Sequence, residues 1–387
     1  MPFVVSTERK LPLIRLRWVG TVRSTPEWDR ERFVFKRHRG WRSLLLAAMF
    51  FAVIQFVLAC VLDGLPPGRR DPEYALRLHM CRQRQAENPN RPLIVVLGNS
   101  RSAMGICPSA WEASLTCQQT EGIPMLFNFG LVGAGPMLQE LTARRLIQDG
   151  IRPALVLWEY WPPFLHHDEG WNEHQRINKD RLSPRDLPWV TACYPPEQAR
   201  LLHQSIWWQH LLPCWGTRER ILLQLVPEWI PPERRIDWTW KHLDGWGWYP
   251  GLDAHVLGEV GRERMTQQCQ EIYQPLLARF YSAKEAEAAL HRGVQLLQEA
   301  GITVVLLYLP ESKRFQQWYP PHAERMILQH RQQLQHDLDI EWLDTRSWME
   351  ETDFVDGFHL SRQGAAAFTQ RLGQLLTCKF TTSGRKG

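Results

Sequence analysis

The stretch LLLAAMFFAVIQFVLACVL, from Leu44 to Leu62, constrains this chain more than any other. It runs for 19 residues with no charge and one amide, Gln55. As a helix it spans roughly 28 Å, about the thickness of a bilayer core. A buried core helix of that length normally carries a polar stripe, and this one has none. Residues 44–62 are therefore expected to cross a membrane. Lys36, Arg37, Arg39 and Arg42 precede the run and Asp63 follows it. That asymmetry predicts a basic cytoplasmic tail over residues 1–43, with everything after the span outside. A cleaved signal peptide has a short leader, so the long leader here predicts a retained signal-anchor. Val57-Leu58-Ala59-Cys60 faintly resembles a lipobox, but its distance from the start and the apolar residues after it argue against lipidation.

Beyond the span, residues 63–91 read as a breaker-rich linker and a helix. Residues 92–378 then read as one α/β domain. Leu93-Ile-Val-Val-Leu97 is a run of β-formers ending in Gly98-Asn99-Ser100, as in a buried parallel strand. Strands are also expected at 124–128, 153–160, 302–309 and 340–344, with helices at 137–149, 283–300, 321–338 and 363–378. Strand, helix, strand at this spacing predicts a parallel sheet with helices on both faces. Residues 162–280, rich in Pro, Trp and His, break the rhythm. They read as a long insertion with short helical patches at 198–212 and 219–225, a lid or substrate wall. Residues 379–387 read as a disordered tail.

The net charge of +5 is diffuse, and no zinc finger or aromatic-basic RNA motif appears, so nucleic acid is not an expected partner. Eight of the 19 tryptophans lie between Trp207 and Trp248. They read as packing residues and interface anchors, with a stacking surface for sugar rings as the alternative. None of the eight cysteines forms a C-x-x-C pair, so no structural metal site is expected. In an exported domain Cys107 and Cys117 are a candidate disulfide.

Ligands of open parallel sheets bind outside the carboxyl ends of the strands. Ser100, the turn around Gly133 and the loop 346–359 all fall at such ends. A serine hydroxyl needs a base to take its proton. His359 can be that base, and Asp356, three residues earlier, can hold its tautomer. Backbone N–H groups at Ser100 and Gly133 can face an oxyanion. Each piece also has a plainer reading: a serine after a strand is often a helix N-cap, and Asp-Gly-Phe-His is a short pattern.

These blocks together resemble the SGNH (GDSL-like) hydrolases. Gly98-Asn99-Ser100 stands where that family has Gly-Asp-Ser, Asn128-Phe-Gly-Leu-Val-Gly133 resembles its second block, and Asp356-Gly-Phe-His359 resembles its last. The resemblance covers residues 92–160 and 283–375. It implies a three-layer flavodoxin-like α/β fold, Ser100 as nucleophile, His359 as base and Asp356 as its orienting carboxylate, with no cofactor. It further implies ester hydrolysis or O-acyl transfer on an acylated glycan or other envelope ester at a bacterial cell membrane. By architecture alone the chain is similar to envelope polysaccharide acyltransferases and D-alanyl-transfer accessory proteins, which makes envelope-assembly proteins expected partners. A catalytically impaired binding or assembly factor is the alternative.

The chain departs from the family at its third block, Gly-x-Asn-Asp, whose Asn donates to the oxyanion. Here the third strand runs into Glu159-Tyr160-Trp161-Pro162-Pro163. Losing one such donor costs roughly 2.7–4 kcal/mol of transition-state stabilisation. Arg101 can bind an anionic substrate group or pair with a carboxylate. Glu159, Trp161, Glu311 and Arg314 are further candidate substrate contacts, although Glu311 and Arg314 can also pair with each other. His166, His167, Asp168, Glu169 and His174 hold ligand-type side chains but lack a helical i, i+4 pair, and read better as a solvated loop. Asp244-Gly-Trp-Gly-Trp248 reads as a turn with aromatics.

Overall fold

The computed structural model describes residues 30–64, 71–115, 122–166, 172–251 and 254–383. Its contacts divide the chain into two units, one ending at Val53 and the other beginning at Ile54. The first helix, α1 (Arg30–Gly64), contains an apolar stretch, Gly40–Leu62, that is long and apolar enough to cross a membrane. Residues 30–43, expected in a tail, continue this helix.

The second unit is α/β and mostly helical. Helix α2 (Pro72–Glu87) leads into β1 (Leu93–Leu97), α3 (Ser100–Gly105) and α4 (Pro108–Ser114). Strand β2 (Met125–Asn128), α5 (Pro136–Gln148) and β3 (Leu155–Glu159) follow. The insertion contributes α6 (Pro196–Leu211), α7 (Arg218–Leu225) and α8 (Ala254–Ala278). The rhythm then resumes with α9 (Lys284–Glu299), β4 (Thr303–Tyr308), α10 (Pro321–Leu338), β5 (Glu341–Asp344) and α11 (Arg362–Ser383). Element α8, two helical stretches that kink at Gly258 (φ +63°) with Pro275 in the second, is absent from the sequence reading, and both residues have the character of breakers. At the other end, residues 379–383, expected in a disordered tail, extend α11.

The five strands form one parallel sheet in the order β2-β1-β3-β4-β5. Both faces are covered, and alternation along the strands shows it. Val95, Val156, Trp158, Leu306 and Tyr308 pack with α2, α9 and α10 side chains such as Leu78, Leu290 and Leu334. Their strand neighbours Ile94, Val96, Leu157, Val305 and Leu307 pack with Phe368, Leu372 and Leu376 of α11. Strands buried on both faces read as unbroken apolar runs, which is why they were visible in the sequence. The order of connection reverses between β1 and β3, the position at which ligands of open parallel sheets bind.

Candidate active site

Strand β1 ends at Leu97, and the chain turns through Gly98-Asn99 into α3. A side chain at Gly98 would collide with Ser102 Oγ and Glu159 Oε2, at 2.1 and 2.3 Å from its Cβ. Only glycine lets β1 and β3 close on the turn so tightly. The Asn99 side chain accepts the Arg101 N–H at 2.8 Å and is the N-cap of α3. The capping role open to Ser100 is thus taken by its neighbour. Asn and Asp cap about equally well, so Asn99 serves where the resembled family has Asp. Ser100 occupies the first helical position, partly exposed.

The second arm comes from the loop after β5. Asp356 Oδ1 accepts the N–H groups of Phe358 and His359, at 3.2 and 2.8 Å. Gly357 between them has φ +96°, a conformation that strains any side chain. The loop is closed by a bridge between Phe354 and Leu360 and tied to the end of β4 by the Ser312 N–H donating to Gly357 O. The Phe358 ring stacks on Trp161 at 5.2 Å and meets Tyr273 of α8 at 5.0 Å.

The two arms meet at the imidazole. His359 Nδ1 lies 2.7 Å from Asp356 Oδ2, and His359 Nε2 lies 2.7 Å from Ser100 Oγ. An ionised carboxylate can only accept, so Nδ1 carries the proton and Nε2 is free to accept from the hydroxyl. Asp356 is buried, whereas the His359 side chain is 16% exposed.

Four of the other candidate contacts, Glu159, Arg101, Glu311 and Trp161, are buried. Glu159 is buried and accepts the Asn99 N–H at 2.8 Å and the Ser102 hydroxyl at 2.6 Å. It clamps the turn beneath Ser100. Burial pushes its carboxyl above the ordinary Glu value, against the pull of Arg101, Ser102 and Asn99. Arg101 points inward and donates to Leu309 O and Pro310 O, both at 2.9 Å. Its guanidinium lies 3.8 Å from Glu159 and 3.7 Å from Glu311. Of the two roles open to Arg101, the carboxylate pair is the one formed. Glu311 is fully buried, accepting from Trp161 Nε1 at 3.1 Å, Tyr319 Oη at 2.9 Å and Arg346 Nε at 3.0 Å. Arg346 continues to Glu324 at 3.0 Å. Five charges of alternating sign therefore run from beneath the serine toward the surface. Trp161 is buried too, as the ring under Phe358. Glu311 and Arg314 do not pair: Arg314 bonds Glu263 of α8 at 2.6 Å.

A groove of about 370 Å³ opens beside the loop that carries Asp356 and His359, lined by Gly357 and Phe354, by Arg262 and Thr266 of α8, and by Arg314 and Glu351. Ser100 and His359 are not among its lining residues. Gly133 lies in an exposed turn with φ +80°. That turn is held to the Gly98-Asn99 turn by the Leu131 N–H donating to Gly98 O at 2.8 Å.

The sequence reading overlooked Ser102, Tyr319, Arg346 and Phe358. Phe358 alone had a signal, its place inside the Asp-Gly-Phe-His block. Buried His166 accepts the Tyr281 N–H, and buried His174 packs on Tyr194 at 5.2 Å. Residues 167–169 lie outside the described residues, among which no group of three or more metal-ligating side chains occurs. Cys107 is a free, buried thiol, and Cys117 lies outside the described residues. Asp244 caps its own turn, accepting from the Trp246 and Trp248 N–H groups. That turn packs on the end of β2, where the Asn128 N–H donates to Trp246 O.

Comparison with protein-family models gives no match to this chain, and comparison with curated proteins gives no relative.

Proposed function

We propose that the chain is a membrane-anchored serine esterase or O-acyltransferase of SGNH type. The carrying observation is the relay Asp356–His359–Ser100, with both bonds at 2.7 Å. The strand order 2-1-3-4-5 supports a flavodoxin-like fold with its site at the β1/β3 switch. His359 Nε2 takes the Ser100 proton as Oγ attacks an ester carbonyl, and the oxygen of the tetrahedral adduct becomes negative. The Ser100 N–H, in the first turn of α3, has no acceptor within its helix and suits that oxyanion. His359 then protonates the leaving alkoxide, and the acyl group stays on Ser100. Water or a second hydroxyl, deprotonated by His359, attacks the acyl-serine, and His359 returns the proton to Ser100 Oγ as acid or a new ester is released. The groove lined by Arg262, Arg314, Glu351 and Thr266 suits a polar acceptor such as a glycan. The apolar span with its basic leader supports an extracytoplasmic site at a bacterial cell membrane.

A second reading, a binding or assembly factor for envelope polysaccharide, draws on Glu159. A buried carboxylate accepting hydrogen bonds stands where the resembled family has an oxyanion donor. A fluorophosphonate probe decides between them. It should label the folded full-length chain, and Ser100→Ala should abolish labelling. Folded wild type that takes no label would leave the binding reading.

A further inference from the structure

The insertion carries a set of apolar side chains that its fold leaves uncovered. Leu201, Trp208 and Leu211 of α6, then Trp215, Leu225 and Trp229, are each more than half exposed. On α6 these residues lie opposite Leu202 and Ile206, which are buried in a cluster that includes Leu187, Val190 and Cys193 of the insertion and Leu138 and Leu141 of α5. The exposed face of α6 is therefore a built one, with its own buried counterpart. Four of the eight tryptophans between Trp207 and Trp248 are exposed, Trp207, Trp208, Trp215 and Trp229, so packing accounts for only part of that cluster.

The occupant is indicated by Gln55, the one amide in the apolar span. Gln55 is 3% exposed, unlike the apolar side chains around it. Its Oε1 accepts the Cys214 N–H at 3.1 Å, in the turn joining α6 to α7. Both residues belong to the second unit. Gln55 lies seven residues before the end of the span at Leu62, which is about 10 Å below that end along the helix. An amide at that depth needs a polar partner. If the span crosses a bilayer, Cys214 must reach the same depth, and it carries Leu211 and Trp215 with it. Immersion by 5–10 Å is the ordinary depth of a helix lying in a membrane interface. Trp and Arg are the side chains suited to that zone, and the Arg218 guanidinium sits over the Trp215 ring at 4.9 Å.

We propose that the α6–α7 corner of the insertion is a membrane-embedded face, so that the domain rests in the outer leaflet of the bilayer its own helix crosses. The proposal rests on the reading of Gly40–Leu62 as a span, not on the esterase chemistry. The test replaces Trp208, Trp215, Leu328 and Phe50, one at a time, by photoreactive benzoylphenylalanine. The full-length chain is reconstituted in phosphatidylethanolamine/phosphatidylglycerol vesicles and irradiated. Lipid adducts are expected at positions 208, 215 and 50 and not at 328, an exposed site on α10. Adducts at 50 without adducts at 208 and 215 would overturn the embedded face and leave the anchor standing. Absence of adducts at all positions would overturn the span and the face together. Cross-links from 208 or 215 to a second copy in place of lipid would show a dimer interface and overturn the proposal.

Discussion

Two polar networks meet at the carboxyl edge of the sheet, each built on buried carboxylates, and they differ in what those carboxylates hold. The first is Asp356 and His359, with Ser100. The second is Glu159, Arg101, Glu311 and Arg346. In the first, a buried carboxylate holds a partly exposed imidazole, and the last bond in the line reaches a partly exposed hydroxyl. That arrangement can move a proton. In the second, each acid is held by cations, backbone or aromatic hydroxyls, and the chain of charges is closed off from the site. That arrangement fixes the ends of β1, β3 and β4 against one another. A charged residue at a strand end is thus a catalytic candidate or a structural tie according to its burial and its last partner, not its type.

Asp356→Asn tests the first set most sharply. It preserves shape but lets the side chain donate, which reverses the imidazole tautomer. Turnover of an ester substrate should fall roughly 10⁴-fold with the unfolding midpoint little changed. A small loss would show that Asp356 only shapes its loop.

Arg101→Ala strikes the second set. It leaves Glu159 and Glu311 without their shared cation and should cost about 3–5 kcal/mol of stability, read from denaturant unfolding. If stability holds and only activity falls, Arg101 belongs with the site and the distinction between the two sets collapses.

Glu159→Gln has a subtler signature. The folded chain holds the Glu159 proton more tightly than the unfolded chain does, because burial penalises the carboxylate. Its contribution to stability is fully present below the ordinary Glu value and is lost as pH rises through the raised folded value. The stability difference between wild type and Glu159→Gln should therefore shift toward wild type as pH falls from neutral through the weakly acidic range. A difference that is flat with pH would show Glu159 unperturbed in its buried position.

Arg314→Ala should change least. Its pair with Glu263 is exposed and open to screening by salt. The unfolding midpoint should stay where it is. A change confined to KM for a glycan ester would place Arg314 at the substrate after all.

The insertion extends the comparison. Strands β1 to β4 were legible as short, mostly apolar runs, β5 as the short stretch 340–344 after a helix, and α9 and α10 because their apolar positions recur at helical spacing. Residues 162–280 have neither regularity. Their apolar residues answer to surfaces supplied by other elements: Leu202 and Ile206 to a cluster shared with α5, Tyr273 to Phe358, and, by our proposal, Trp208 and Trp215 to a bilayer. Helix α8 was missed for the same reason, since its Gly258 and Pro275 have the local grammar of a loop.

The sequence by itself determined the apolar span, the five strands and the adjacency of Asp356 to His359, because each is written in neighbouring residues and follows from period, length or reach. Only the tertiary structure decided that Asn99 caps α3 in place of Ser100, that Arg101 turns inward, and that Glu159 and Glu311 are tied down beneath the site. Those outcomes depend on burial and on partners such as Leu309 and Arg346, tens to hundreds of residues away, and no local pattern encodes which of two possible partners a charged side chain will meet.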